Sequence, residues 1–384
     1  MSYEENKSKR FDYIDLIKAI DIFFVIMIHN YKASVDFVVS PSLKTYISFI
    51  VRLMIEGVPL FVTVNGFLII NKRLDLRKHI KKIMKILLII FIWSLIYIII
   101  FSKGNISAKE IIHNILTVDI NNEYSGILWF LQNLITLYLL YPILNIVHDN
   151  NKKVYNYFFI VVVFFTIGTK SLDMIFNLLN LYNINDYTYW LSDCIQHYNP
   201  ISNGAFILYF MLGGYIYENK ELLLKNKNKI FIITLLITIV SISYGIFVSD
   251  INKSFYSSNY LYCSLAMVMY ILSIFIVSFK FKNNNFFTRI ICSIGKNSMG
   301  IYLVHIIVVK LVSEYITFVS LGKTIISSII IVFICLCITI VLRKIPYVNK
   351  IITIWKYCFI KKISCKILIF FVWKNYYKFY IEIQ

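Results

Sequence analysis

Phe11–Tyr31 reads FDYIDLIKAIDIFFVIMIHNY, an apolar run long enough to cross a bilayer that still carries Asp15, Lys18, Asp21 and His29. Charge inside a membrane segment is costly, so its default reading is functional. Ten residues separate Lys18 from His29. Eleven steps of about 100° return to nearly the same helix face after a rise of about 16 Å. Lys18 is therefore expected near one edge of the bilayer and His29 near its middle. A buried histidine in line with a cation at the mouth has the layout of a reaction centre with an approach path.

The rest of the chain has the same character. Hydrophobic residues make up 59% and charged residues 15%, which excludes an ordinary soluble domain. The formal net charge of +19 is read as positive-inside bias in cytoplasmic loops, not as a nucleic-acid footprint. The first apolar run is too long for a signal-peptide core and no small-residue cleavage site follows it, so it is expected to stay as the first membrane helix. Seven cysteines show no CxxC pair and no metal-ligand spacing, so neither a metal nor a disulfide framework is expected.

Ten spans are expected, at about 12–32, 46–70, 83–101, 127–147, 155–175, 201–218, 230–248, 259–279, 297–318 and 324–342. The fold class is thus an all-α polytopic membrane protein of about ten transmembrane helices. With both termini cytoplasmic, 29 of the 39 basic residues fall inside, six fall outside and four lie within or at the ends of spans. Residues 1–11 form a cytoplasmic segment and 12–345 the membrane domain. Residues 346–384, which mix Lys with Trp, Tyr and Phe, form a basic cytoplasmic tail lying on the anionic leaflet. Two longer outside loops, Ser102–Gly126 and Leu178–Pro200, offer polar and aromatic side chains suited to a neutral sugar. His113 in the first of them is a further, weaker acceptor-contact candidate.

Five stretches resemble one family in the right order. IDLIKAIDIFFVIMIH (Ile14–His29) is similar to its opening basic-x10-His pattern. VPLFVTVNGFLI (Val58–Ile69) is similar to its PLFF-SG stretch, with Asn65 where Ser is usual. KKIMK (Lys81–Lys85) falls where the family carries Arg-x-x-Arg, here Lys82 and Lys85. ILWFLQNLITLYLLYPIL (Ile127–Leu144) and IGKNSMGIYLVH (Ile294–His305) resemble its LWFL…YLL-P and NS-GIYL-H segments. On these motifs the chain resembles the acyltransferase-3 family of integral-membrane acyltransferases.

The resemblance implies transfer of an acyl group, often acetyl, from acyl-CoA to a hydroxyl of a cell-surface polysaccharide, glycolipid or related acceptor, in a bacterial plasma membrane. It implies acyl-CoA as donor substrate, with no cofactor bound permanently. Lys82 and Lys85 would take the donor phosphates as point charges, without the bidentate grip of Arg, or serve only as positive-inside residues. Lys18 would sit at the inner mouth, and His29 would act as general base, the role for which a side chain near pKa 6.5 is suited. His305, expected about 13 Å past Lys296, could share a central cavity with His29. Tyr302 and Asn65 could orient the acceptor or bond the developing oxyanion. Arg52 and Glu56, four apart, could line the acceptor mouth or simply pair. The competing reading is a transporter or flippase exporting a polysaccharide or glycolipid, since charges at mid-membrane also mark transport paths.

Overall fold

The structure is a computed structural model, and it describes residues 11–35, 57–102, 107–116, 126–181, 198–201, 204–252, 264–313, 321–346 and 348–352. Every described element is helical, and no strand occurs among the described residues. In chain order they are α1 (Asp12–Val35), α2 (Val58–Ile69), α3 (Leu76–Phe101), α4 (Ala108–Leu116), a 3-10 turn (Gly126–Leu128) leading into α5 (Trp129–Asn150), α6 (Lys152–Val163), a π turn (Phe164–Gly168) leading into α7 (Thr169–Leu181), α8 (Gly204–Glu218), α9 (Lys220–Lys225), α10 (Lys227–Asn252), α11 (Leu265–Ser278), α12 (Phe286–Ser313), α13 (Leu321–Lys344) and α14 (Val348–Ile352).

Among the described residues, six helical stretches are long and apolar enough to cross a membrane: Leu76–Phe101, Gly126–Asn150, Lys152–Phe176, Lys227–Phe247, Phe286–Val312 and Gly322–Lys344. Val58–Ile69 and Leu265–Ser278 are shorter apolar helices. At 24 residues α1 has the length, but Asp12, Asp15, Lys18 and Asp21 crowd its first half. Each of the ten expected spans overlaps a described helix, although its limits shift. The expected third span starts at 83, whereas α3 starts at Leu76 behind an N-cap: Asp75 accepts the Lys78 amide at 3.0 Å. The expected ninth span starts at 297, whereas α12 starts at Phe286, where Asn285 Oδ1 accepts the Thr288 amide at 2.8 Å. Polar residues in these first turns make good caps and solvated turns, so helix extends beyond the apolar window.

The core is built on close backbone crossings. A Cβ placed on Gly66 of α2 would lie 1.8 Å from the Phe210 carbonyl oxygen of α8, and one on Gly295 of α12 would lie 1.9 Å from the Asp15 carbonyl oxygen of α1. Only glycine permits either approach, as expected where small residues let membrane helices meet. The last carbonyls of α2 would be orphaned at its C-terminus. Helix α5 satisfies them: Tyr141 donates to the Ile69 carbonyl at 2.9 Å and Asn145 to the Ile70 carbonyl at 2.7 Å. Helices α1 and α12 run side by side in the same direction, with Asp15 against Gly295 and His29 beside His305. These crossings position the site.

Candidate functional site

The two histidines from the first and last motifs come together, with ring centroids 5.2 Å apart. His29 is exposed and His305 is fully buried. Nδ1 of His305 is hydrogen-bonded to the Tyr302 carbonyl one turn earlier, and its Nε2 has no hydrogen-bond partner among the described residues. The turn that carries His305 is clamped twice. Tyr302 donates its hydroxyl to the Ile127 carbonyl, and Tyr97 of α3 donates to the Leu303 carbonyl at 2.7 Å. The Tyr302 ring lies 5.6 Å from the His305 ring and packs edge-on against Phe130 at 5.8 Å.

These contacts also fix the depth of the pair. Tyr97 lies near the C-terminal end of α3 and Ile127 opens the stretch that leads into α5, so the rings lie level with the far ends of these helices. His305 stands 19 residues beyond Phe286, about 28 Å along α12. The expected depth of about 13 Å took Lys296 as the start of the span. The helix begins ten residues earlier, at Phe286, so His305 stands in the second half of α12.

At the opposite end lies a basic group. Lys82 Nζ rests 4.3 Å from the centroid of the Tyr138 ring, a cation–π contact. Tyr138 donates its hydroxyl to Asn65 Oδ1 at 2.9 Å, while Asn65 Nδ2 donates to the Phe61 carbonyl at 2.8 Å. Lys82 is within electrostatic reach of both Lys18 and Lys72. Lys82 and Lys85 are partly buried, whereas Lys81 is exposed. The helix thus turns two lysines of KKIMK inward and one outward. Asn65 groups with the lysines, and Tyr302 groups with the histidines. Arg52 and Glu56 lie outside the described residues, as does almost all of the Leu178–Pro200 loop. His113 lies on α4 and is exposed.

The sequence assigned no specific role to several further residues. His79 is buried, with Nε2 2.6 Å from the Tyr138 carbonyl and its ring 5.0 Å from that of Tyr141. Tyr138, the tyrosine of the YLL-P segment, joins Lys82, Asn65 and His79 at one point, a role that the motif alone does not give it. Asp21 is fully buried, and neither carboxylate oxygen has a hydrogen-bond partner among the described residues. Asp12, Asp15 and Cys292 bring ligand-type atoms within 4.8 Å of one another, a grouping across two helices that no sequence spacing discloses. Asp12 there accepts the Asn283 amide at 3.1 Å, a bond that ties the start of α1 to the connection before α12. Asn297 of the late motif also has a structural partner: Arg343 of α13 donates to its Oδ1.

An exposed histidine beside a buried imidazole nitrogen that has no partner among the described residues is a place where a proton can be taken up. A group of lysines one long helix away can hold an anion. No curated protein and no solved structure matches the chain. Residues 11–344 match the acyltransferase-3 family model, described as an acyltransferase domain. The match takes in the histidine pair and the lysine group alike, and the chain belongs to the acyltransferase-3 family of membrane acyltransferases.

Proposed function

We propose that the protein moves an acyl group, acetyl in the first instance, from acyl-CoA to a hydroxyl of a cell-surface polysaccharide, glycolipid or related acceptor in the bacterial plasma membrane. The observation that carries this reading is the convergence of His29 and His305 from two distant motifs to 5.2 Å, within a family of acyltransferases. His29 is the general base. It takes the acceptor proton as the hydroxyl oxygen attacks the thioester carbon. The C–S bond breaks, and the departing CoA thiolate takes the proton from His29. The products are an ester and free CoA thiol. Such proton transfer contributes roughly 10²–10⁴-fold to the rate.

Lys82, Lys85 and Lys18 hold the donor phosphates at the inner end, and the rise of about 16 Å between Lys18 and His29 is bridged by the pantetheine arm. Tyr302 and Asn65 orient donor and acceptor along that path. Ten spans with both termini cytoplasmic put the lysine end on the cytoplasmic side, where acyl-CoA is found.

Release of CoA thiol from acetyl-CoA by the purified full-length protein in nanodiscs tests the reading. His29→Ala is expected to lower turnover at least about a hundredfold, within the span of general-base effects. The Lys82→Ala/Lys85→Ala variant is expected to raise KM for acetyl-CoA. Unchanged turnover in His29→Ala would remove His29 as the base. A folded wild-type protein that neither binds nor consumes acyl-CoA, offered several acceptors, would contradict the proposal.

A further inference from the structure

We propose that His305 is a positioning residue for His29: its Nε2 lone pair accepts a hydrogen bond from the ring N–H of His29, so that the other ring nitrogen of His29 is the one that takes the acceptor proton. The inference rests on the reading of His29 as the base.

Four observations carry it. The Tyr302 carbonyl can only accept, so the Nδ1 atom bonded to it bears the proton. That tautomer leaves Nε2 as an acceptor lone pair. Nε2 is buried in a side chain with 0% exposure and has no partner among the described residues. A buried polar atom of this kind calls for a partner in the working protein, because leaving it unpaired costs about 1–3 kcal/mol. The neighbouring ring is His29, and the centroid separation of 5.2 Å is what one N–H···N bond of about 2.9 Å plus two ring radii spans. Finally, the His305 turn cannot drift. Tyr302 is tied to Ile127, and Leu303 to Tyr97 at 2.7 Å.

The device has a chemical consequence. Neutral imidazole exists in two tautomers, and only one presents a lone pair to a given point. A fixed acceptor on one side of His29 selects that tautomer before substrate arrives. When His29 takes the hydroxyl proton, its second N–H stays bonded to His305, so the transient imidazolium keeps a partner. No proton moves to His305. The C–O bond forms and the C–S bond breaks as before, and the thiolate recovers the proton from His29.

The test uses the full-length protein in nanodiscs with ¹⁵N-labelled histidine. In the wild type, His305 is expected with a protonated Nδ1 and a bare Nε2, and His29 in one tautomer. His305→Phe fills the space without an acceptor. It is expected to leave His29 as a mixture of tautomers and to lower kcat about 10- to 100-fold, part of the roughly 10²–10⁴ available to the base, with KM for acetyl-CoA held. His305→Gln carries an amide oxygen that reaches toward the position of Nε2, and is expected to recover most of the kcat and the single tautomer. A wild-type His305 with its proton on Nε2 would overturn the proposal, and this readout needs no variant to fold. So would a folded His305→Phe with unchanged kcat and tautomer, or a His305→Gln no better than His305→Phe. If the wild type does not turn over acyl-CoA, the transferase reading fails while the ring spectra still decide whether His305 sets the tautomer of His29.

Discussion

Tyr138 shows how much one side chain in an apolar run can organise. Its ring lies under Lys82, its hydroxyl holds Asn65, and its carbonyl meets His79. Tyr138→Ala removes the ring beneath the ammonium, a contact worth about 0.5–2 kcal/mol. It is expected to weaken CoA binding by that amount in titration calorimetry, while Tyr138→Phe, which keeps the ring, is expected to bind CoA nearly as the wild type does. A second residue-scale prediction concerns pH. The Asp75 carboxylate accepts the Lys78 amide and lies 3.0 Å from the Lys78 ammonium, which holds it below the usual carboxylate range. A depressed folded value means that the cap stabilises above the unfolded value of about 4 and is lost as pH falls through the folded one. The melting-temperature gap between wild type and Asp75→Ala is therefore expected to be full at about pH 7 and to shrink below about pH 4. The pairing of His29 with His305 was legible in the sequence, because each histidine closes a recognisable motif at a fixed distance from a basic residue. The contacts of Tyr138 were not, although it stands in the YLL-P segment, because neither composition nor period says which face of an apolar helix meets which neighbour.

Among the helices, the crossings are set by glycines and the ends by polar caps. The contact of Gly66 with the Phe210 backbone leaves no room for a methyl group, and backbone cannot step aside as a flexible side chain can. Gly66→Ala is expected to lower the melting temperature in detergent, with an overpacking cost of about 1–3 kcal/mol or more. Gly322 is the matching control, because a methyl group there would meet nothing within 4 Å among the described residues. Gly322→Ala is expected to be neutral or mildly stabilising. Apolar runs located these helices well. Their starts were less legible, since Asp75 and Asn285 begin helices inside stretches that look like polar loops. The position of His305 at the far end of the bundle follows from its neighbours Tyr97 and Ile127, which apolar runs do not disclose.

Over the whole molecule, the chain separates a basic end from a histidine end. Lys82, with Lys18 and Lys72 in electrostatic reach, stands at one. The His29–His305 pair, level with Tyr97 and Ile127, stands at the other. Composition alone disclosed a polytopic helical protein, and the motif order disclosed the family. The separation needed the packing of α1 against α12 and of α3 against α5, which are distant in sequence. If the donor is held at the lysine end and reacts at the histidine end, only one face of the membrane can supply it. Sealed vesicles of known orientation decide this, with acetyl-CoA supplied to one face at a time and release of thiol followed. Turnover is expected only when acetyl-CoA is on the face bearing Lys82 and Lys85, and it should disappear in His29→Ala. Equal turnover from both faces, or turnover only from the histidine face, would contradict this division between a binding end and a reacting end.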